Sequence, residues 1–167
     1  MKTLDLIQEL YIRDILREDP FEVEISALSF YPDMLSSLSE KIGELLTPLH
    51  FHFICPTDIA SIPLATALSI ASHVPMIPSC YDTLGNIAKQ GQIALFLDAS
   101  SSYLKRIQSA QKKLNALHIF VSHAIVLIED ASAEENPELD LGIQFHSLWN
   151  FKKIQNSYSK IHTSDIS

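Results

Sequence analysis

The residues with the clearest chemical promise stand where an apolar run meets hydroxyls: Ile93-Ala-Leu-Phe-Leu-Asp98-Ala-Ser100-Ser101-Ser102-Tyr103-Leu104-Lys105. The run has the make-up of a buried strand and the residues from Ser102 onward that of a helix, so an acid and three hydroxyls fall on the junction. Such a junction aims backbone N–H groups and the positive end of a helix dipole at one point, beside a carboxylate. The chemistry would be the grip of a sugar phosphate. The N–H groups of Ser100, Ser101 and Ser102 would face the phosphate, with the Asp98 carboxylate beside it. The plainer reading is a capped helix start, because serine hydroxyls accept from free N–H groups and an acid suits the dipole there. A second turn, Cys55-Pro56-Thr57-Asp58, also precedes a helical stretch and offers a hydroxyl and a carboxylate. Lys105 and Arg106 fall on what the pattern makes a solvated helix face.

Other chemistry-bearing side chains form no convincing set. His50 and His52 alternate on an expected strand and share one side, but a third metal ligand at suitable spacing is lacking, so they are expected to be satisfied strand histidines. His118 and His123 fall on opposite faces, and His73 and His146 are isolated. The two cysteines, Cys55 and Cys80, are too few for a disulfide framework and are expected as reduced thiols.

The elements that must position these residues follow from periodicity. Residues 3–17 carry Leu4, Ile7, Leu10, Tyr11 and Ile15 on one helical face, and Asp19-Pro20 breaks the pattern. Phe21, Val23 and Ile25 then alternate with polar residues as in a half-buried strand. Pro32-Asp33 starts a helix whose stripe of Leu35, Leu38, Ile42, Leu45 and Leu46 ends near Pro48. Strands are expected at 50–55, 74–77, 92–97, 119–128 and 142–147, with helices over 62–73 and 102–117 and a short one from Phe151. Alternation of that kind builds a parallel sheet with helices on its faces. The acidic segment 131–140 is expected as a surface loop.

Composition narrows the partners. The 167 residues are 47% hydrophobic, enough for one genuine core, and the expected organisation is a single domain over 1–155 with a polar tail over 156–167. A net charge of −8 gives nucleic acid or an anionic membrane nothing to bind, so neither is an expected partner. No apolar run reaches the roughly 18 residues that span a bilayer, and the first residues lack signal-peptide order; a cytoplasmic location is expected.

Several segments then fall in a familiar order: Pro63-Leu64-Ala65-Thr66, Val74-Pro75-Met76, the Asp98 junction, Ala124-Ile-Val-Leu and Gly142-Ile-Gln-Phe-His-Ser. Over roughly residues 5 to 154 the chain resembles the orotate phosphoribosyltransferases. The resemblance implies the type I phosphoribosyltransferase fold: α/β, a central mainly parallel sheet flanked by helices, with a small N-terminal helix/strand hood. It also shows where this chain departs. Leu97 stands at the first of two expected acids, and Tyr103 and Leu104 at two expected glycines. Pro56 replaces the glycine of the diphosphate turn and removes an N–H donor. Pro78 to Asp82 occupy the place of a basic cluster, only a short path through Gly85 to Lys89 replaces a lysine-bearing loop, Glu129-Asp130 stand where an acid and an arginine are expected, and Ser26 replaces another arginine.

The resemblance therefore implies a vestigial ribose-phosphate pocket at Asp98, Ser100, Ser101 and Ser102 and a vestigial diphosphate turn at Thr57 and Asp58. Catalytic residues, a metal and a cofactor are not expected. In the family reaction a divalent metal and cations absorb the charge of the departing diphosphate, and losing one electrostatic donor typically costs about 2.7–4 kcal/mol. The expected function is thus a non-catalytic ligand-binding, regulatory or dimer-partner subunit, with a nucleotide or other small phosphate as ligand and a homodimer as assembly. The alternative is a divergent active transferase joining a pyrimidine-type base to phosphoribosyl diphosphate, with Mg2+ and with cations from Lys89, Lys105, Arg106 or a partner subunit.

Overall fold

In the computed structural model the described residues are 8–10, 13, 15–18, 21–23, 25–80, 84–98, 103–129 and 141–150. The expected tail over 156–167, the helix from Phe151 and the acidic loop 131–140 lie outside them. Four strands form one wholly parallel sheet in the order β3 (Phe53–Pro56), β4 (Ile93–Asp98), β5 (Phe120–Glu129), β6 (Gln144–Asn150). Its helices are α1 (Pro32–Leu46), α2 (Ile62–Ser72), a short α3 (Leu84–Ile87) and α4 (Leu104–Ala116). A separate antiparallel pair, β1 (Leu16–Glu18) and β2 (Phe21–Val23), and a 3-10 helix over Ile25–Phe30 precede α1.

Alternation along the strands divides the interior into two layers. Leu95 and Leu97 join Ile125 and Leu127 on the side of α1 and α2, with Leu38, Ile42 and Leu68. Ala94 and Phe96 join Ala124 and Val126 on the side of α4, with Ile107 and Leu114. Both faces of the sheet are covered, which is why β4 is a continuous apolar run rather than an alternating one. The run ends at Asp98, the strand's last residue, and so at the carboxyl edge of the sheet.

Three expectations change. The first helix does not extend to residue 17: Ile15 N–H bonds back to the Leu10 carbonyl at 2.9 Å, Ile15 is fully buried, and the chain continues directly as β1. The alternation from Phe21 supports a strand only to Val23, after which the backbone coils into the 3-10 helix. The segment 74–77 makes only a single bridge, Met76 to Ile54, because prolines at 75 and 78 have no N–H to donate to a ladder. Elsewhere limits shift modestly: α4 begins at Leu104 rather than residue 102, and β6 runs on to Asn150, placing Trp149 in the core at 4% exposure. Helix α2 closes on His73 in the left-handed region at φ 56°, a position that favours glycine.

The N-terminal segment is tied to α1 by charge. Arg13 donates to both oxygens of Asp33 at 2.9 and 2.8 Å, bonds Glu9 at 3.0 Å and lies over the Tyr31 ring at 4.7 Å. The bidentate bonds with Arg13 hold the Asp33 carboxyl below its ordinary range.

Candidate functional site

Strands β3 and β4 are hydrogen-bonded neighbours, with Pro56 opposite Leu97, so the turn after β3 and the last residue of β4 meet at the same edge. That register brings Thr57 and Asp58 beside Asp98, 41 and 40 residues away in sequence, a placement that local pattern alone could not give. Asp98 is fully buried. Thr57 donates its hydroxyl to Asp98 Oδ2 in a short hydrogen bond, while its backbone N–H goes to the Leu97 carbonyl at 3.1 Å.

Arg106 completes the group. From the first turn of α4 its Nε bonds Asp98 Oδ2 at 2.8 Å and its Nη2 bonds Oδ1 at 2.9 Å. This is the parallel two-bond geometry that makes Arg–carboxylate pairs strong. The guanidinium also lies 3.7 Å from Asp58 Oδ2, and these bonds, Asp98 foremost, raise its pKa above the ordinary arginine value. The sequence pattern set Arg106 on a solvated helix face with Lys105. The structure leaves Lys105 exposed but turns Arg106 back across the junction, because a carboxylate sealed at the strand end needs a cation and α4 starts beside it.

Asp58 has its own structural task. Its Oδ1 accepts from the Ser61 N–H at 2.9 Å and, in a short bond, from the Ser61 hydroxyl. The turn therefore organises the entry to α2, where Pro63 supplies the pre-set first-turn backbone. Ser79, also buried, hydrogen-bonds through its hydroxyl to the Pro56 carbonyl at 3.1 Å, and Lys113 Nζ reaches the Ser79 carbonyl at 3.5 Å. Ser100, Ser101 and Ser102 lie outside the described residues. Tyr103, in the place of an expected glycine, is 3% exposed and packs against Phe145 with ring centroids 5.6 Å apart. Of the other candidate cations, Lys89 is exposed.

The remaining histidines divide. His52 behaves as expected of a satisfied residue, its Nδ1 accepting the Ile93 N–H at 3.0 Å, although it precedes β3 rather than lying within it. His146 is not isolated: its Nε2 lies 3.1 Å from Nδ1 of His123 on the neighbouring strand. That contact leaves no trace in either segment's residue order, because it depends on the β5–β6 register.

No family model matches the sequence. Solved structures do match in shape. UMP synthase of Leishmania donovani superposes with a TM-score of 0.85 at 18% identity, covering 97% of this chain and 39% of that one. Orotate phosphoribosyltransferase from Aeropyrum pernix gives 0.77 at 15% identity, covering 92% and 99%. The fold is that of the type I phosphoribosyltransferases. A third structure of that fold, the orotate phosphoribosyltransferase of Mycobacterium tuberculosis in complex with 5-phospho-alpha-D-ribosyl 1-diphosphate, gives 0.70 at 14% identity, covering 92% and 98%. The chain thus spans well under half of the UMP synthase and nearly the whole of each free-standing transferase. In a type I phosphoribosyltransferase fold the Asp98 edge is the carboxyl end of the parallel sheet, where open α/β sheets bind ligands. No helix among the described residues is long and apolar enough to cross a membrane.

Proposed function

We propose that this chain is an orotate phosphoribosyltransferase-like subunit without catalysis, kept for binding a small phosphate ligand, for regulation or for pairing. One observation carries the reading: the acid in the ribose-holding position, Asp98, is fully buried and engaged by Arg106 through two bonds and by Thr57 through a third. A ribose hydroxyl would have to displace those donors. Hydrogen bonds to charged groups contribute about 1.5–3 kcal/mol each, so exchanging a bidentate guanidinium for neutral hydroxyls runs uphill. The charge count points the same way. Asp58 and Asp98 against Arg106 leave one net negative charge where a diphosphate would approach.

On this reading Asp98, Ser100, Ser101 and Ser102 are the remnant of a ribose-phosphate pocket, Thr57 and Asp58 that of a diphosphate turn, and the pocket needs no cofactor. A homodimer and a cytoplasmic, nucleotide-related role belong to the same proposal. Phe30 and Ile70 are 80% and 71% exposed, and Ile70 lines an apolar groove of about 400 Å3 between α1 and α2. A second copy would cover such a surface, and a light-scattering mass of one chain would refute the pairing.

A second reading, an active transferase using Mg2+ and a pyrimidine-type base, draws support from the transferases that share the fold. Calorimetry separates the two. Phosphoribosyl diphosphate with Mg2+ is expected to give no saturable heat, and UMP a weak one on the ligand-binding version. Tight, magnesium-dependent diphosphate binding, with diphosphate released on adding a nucleobase, would establish the transferase instead.

A further inference from the structure

We infer that His123 and His146 form a two-imidazole site for a divalent transition metal of the nitrogen-preferring class, zinc, nickel or copper, away from the Asp98 edge. The two residues sit on adjacent parallel strands, His123 opposite Gln144 and His146 opposite Ile125, so their side chains are diagonal neighbours. Ala124 and Phe145, next to them in sequence, pack into the core on the α4 side, which leaves both histidines on the opposite face. Both are half-buried, held in place yet within reach of solvent.

The geometry suits chelation. His123 Nδ1 and His146 Nε2 are 3.1 Å apart, with ring centroids at 5.3 Å. Zinc–nitrogen bonds of about 2.0–2.1 Å at a tetrahedral angle need nitrogens about 3.3 Å apart, so a slight ring rotation opens the bite. A neutral imidazole has one bare nitrogen and one N–H, and one of the facing nitrogens now carries the shared proton. A metal takes that proton's place as it moves to the far nitrogen of the ring.

The other close pair lacks this capacity. His50 and His52 have centroids 5.5 Å apart, and the Ile93 N–H on His52 Nδ1 fixes the His52 proton on Nε2. Among the described residues no group of three His, Cys, Asp or Glu stands ready, so those residues supply two ligands, with water or a small anion completing the shell. Such a site exchanges its metal readily and, when filled, ties β6 to β5.

The test uses the full chain, stripped with EDTA, dialysed and titrated with zinc sulfate. Wild type should show one saturable site whose affinity falls about tenfold or more in His123→Gln and in His146→Gln, and holds in a His50→Gln/His52→Gln variant and in Cys80→Ser. Should either strand variant fold poorly, nitrogen-15 spectra of the wild-type imidazoles give the same answer. Zinc should move His123 Nδ1 and His146 Nε2. Absence of a saturable site, unchanged affinity in both strand variants, or shifts confined to other histidines would overturn the inference.

Discussion

Replacing Arg106 with alanine isolates the interaction on which the account turns. The guanidinium makes two bonds of 2.8 and 2.9 Å to a carboxylate with no exposed surface, and its loss removes both while the Thr57 hydroxyl bond stays. Breaking a buried ion pair costs about 3–5 kcal/mol. The Arg106 side chain is 28% exposed, so water reaches one side of the pair and the lower end applies, about 3 kcal/mol. For a chain of this size that lowers Tm by about 6–12 °C. Urea unfolding followed by far-ultraviolet circular dichroism would measure it in wild type, Arg106→Ala, Asp98→Asn and the double variant. The double variant should fall short of the summed single losses by at least about 1.5 kcal/mol, since either single change already breaks the bidentate pair that the other would remove. A loss below about 1 kcal/mol, the range of exposed pairs, or simple additivity, would show that Arg106 does not hold Asp98 as a buried pair.

Further outcomes follow from single residues. Burial pushes the Cys55 thiol up to about 12, so in native protein at pH 8 iodoacetamide should label half-exposed Cys80 and leave Cys55 unmodified by mass spectrometry; equal labelling would contradict its burial. His73→Gly should raise stability by about 0.5–1 kcal/mol, because the left-handed backbone no longer strains a side chain; a loss in the urea midpoint would show that the imidazole contributes more than its backbone costs. Asp33 has a folded pKa below its ordinary value, so its stabilisation is present above pH 3.8 and is lost as pH falls through the folded value. The stability gap between wild type and Asp33→Asn should therefore shrink between pH 6 and pH 3, and a constant gap would exclude the Arg13 bridge as its source.

The layers of the fold were legible in the sequence because burial writes itself as periodicity. Leu38, Ile42 and Leu46 repeat at helical spacing and do face the sheet, and the unbroken apolar run of β4 marks a strand covered on both sides. Hydropathy misled where a backbone donor decided the matter: Val74 to Ile77 has a strand's composition, and its proline leaves a lone bridge. It also misled near the start, where Ile15 fits a helical face but is buried at a bend into β1. For the site, the acid at the strand end and the turn at Thr57 and Asp58 could be found by order along the chain. The cation was only one candidate among several. Arg106 stood beside Lys89 and Lys105 as a possible phosphate cation and was otherwise placed on a solvated face, and only the start of α4 at Leu104 aims it at Asp98. The His123–His146 contact was hidden for a similar reason, since register between strands leaves no mark on either strand alone.

The Asp98 carboxylate is already taken by the protein's own Arg106 and Thr57. The most direct test follows the Arg106 Nε–H signal by nitrogen-15 magnetic resonance while phosphoribosyl diphosphate and Mg2+ are added to the full chain. The signal is expected to stay in place through millimolar ligand. A saturable shift, abolished by Asp98→Asn, would show that the sugar displaces the guanidinium and that the site is open for chemistry.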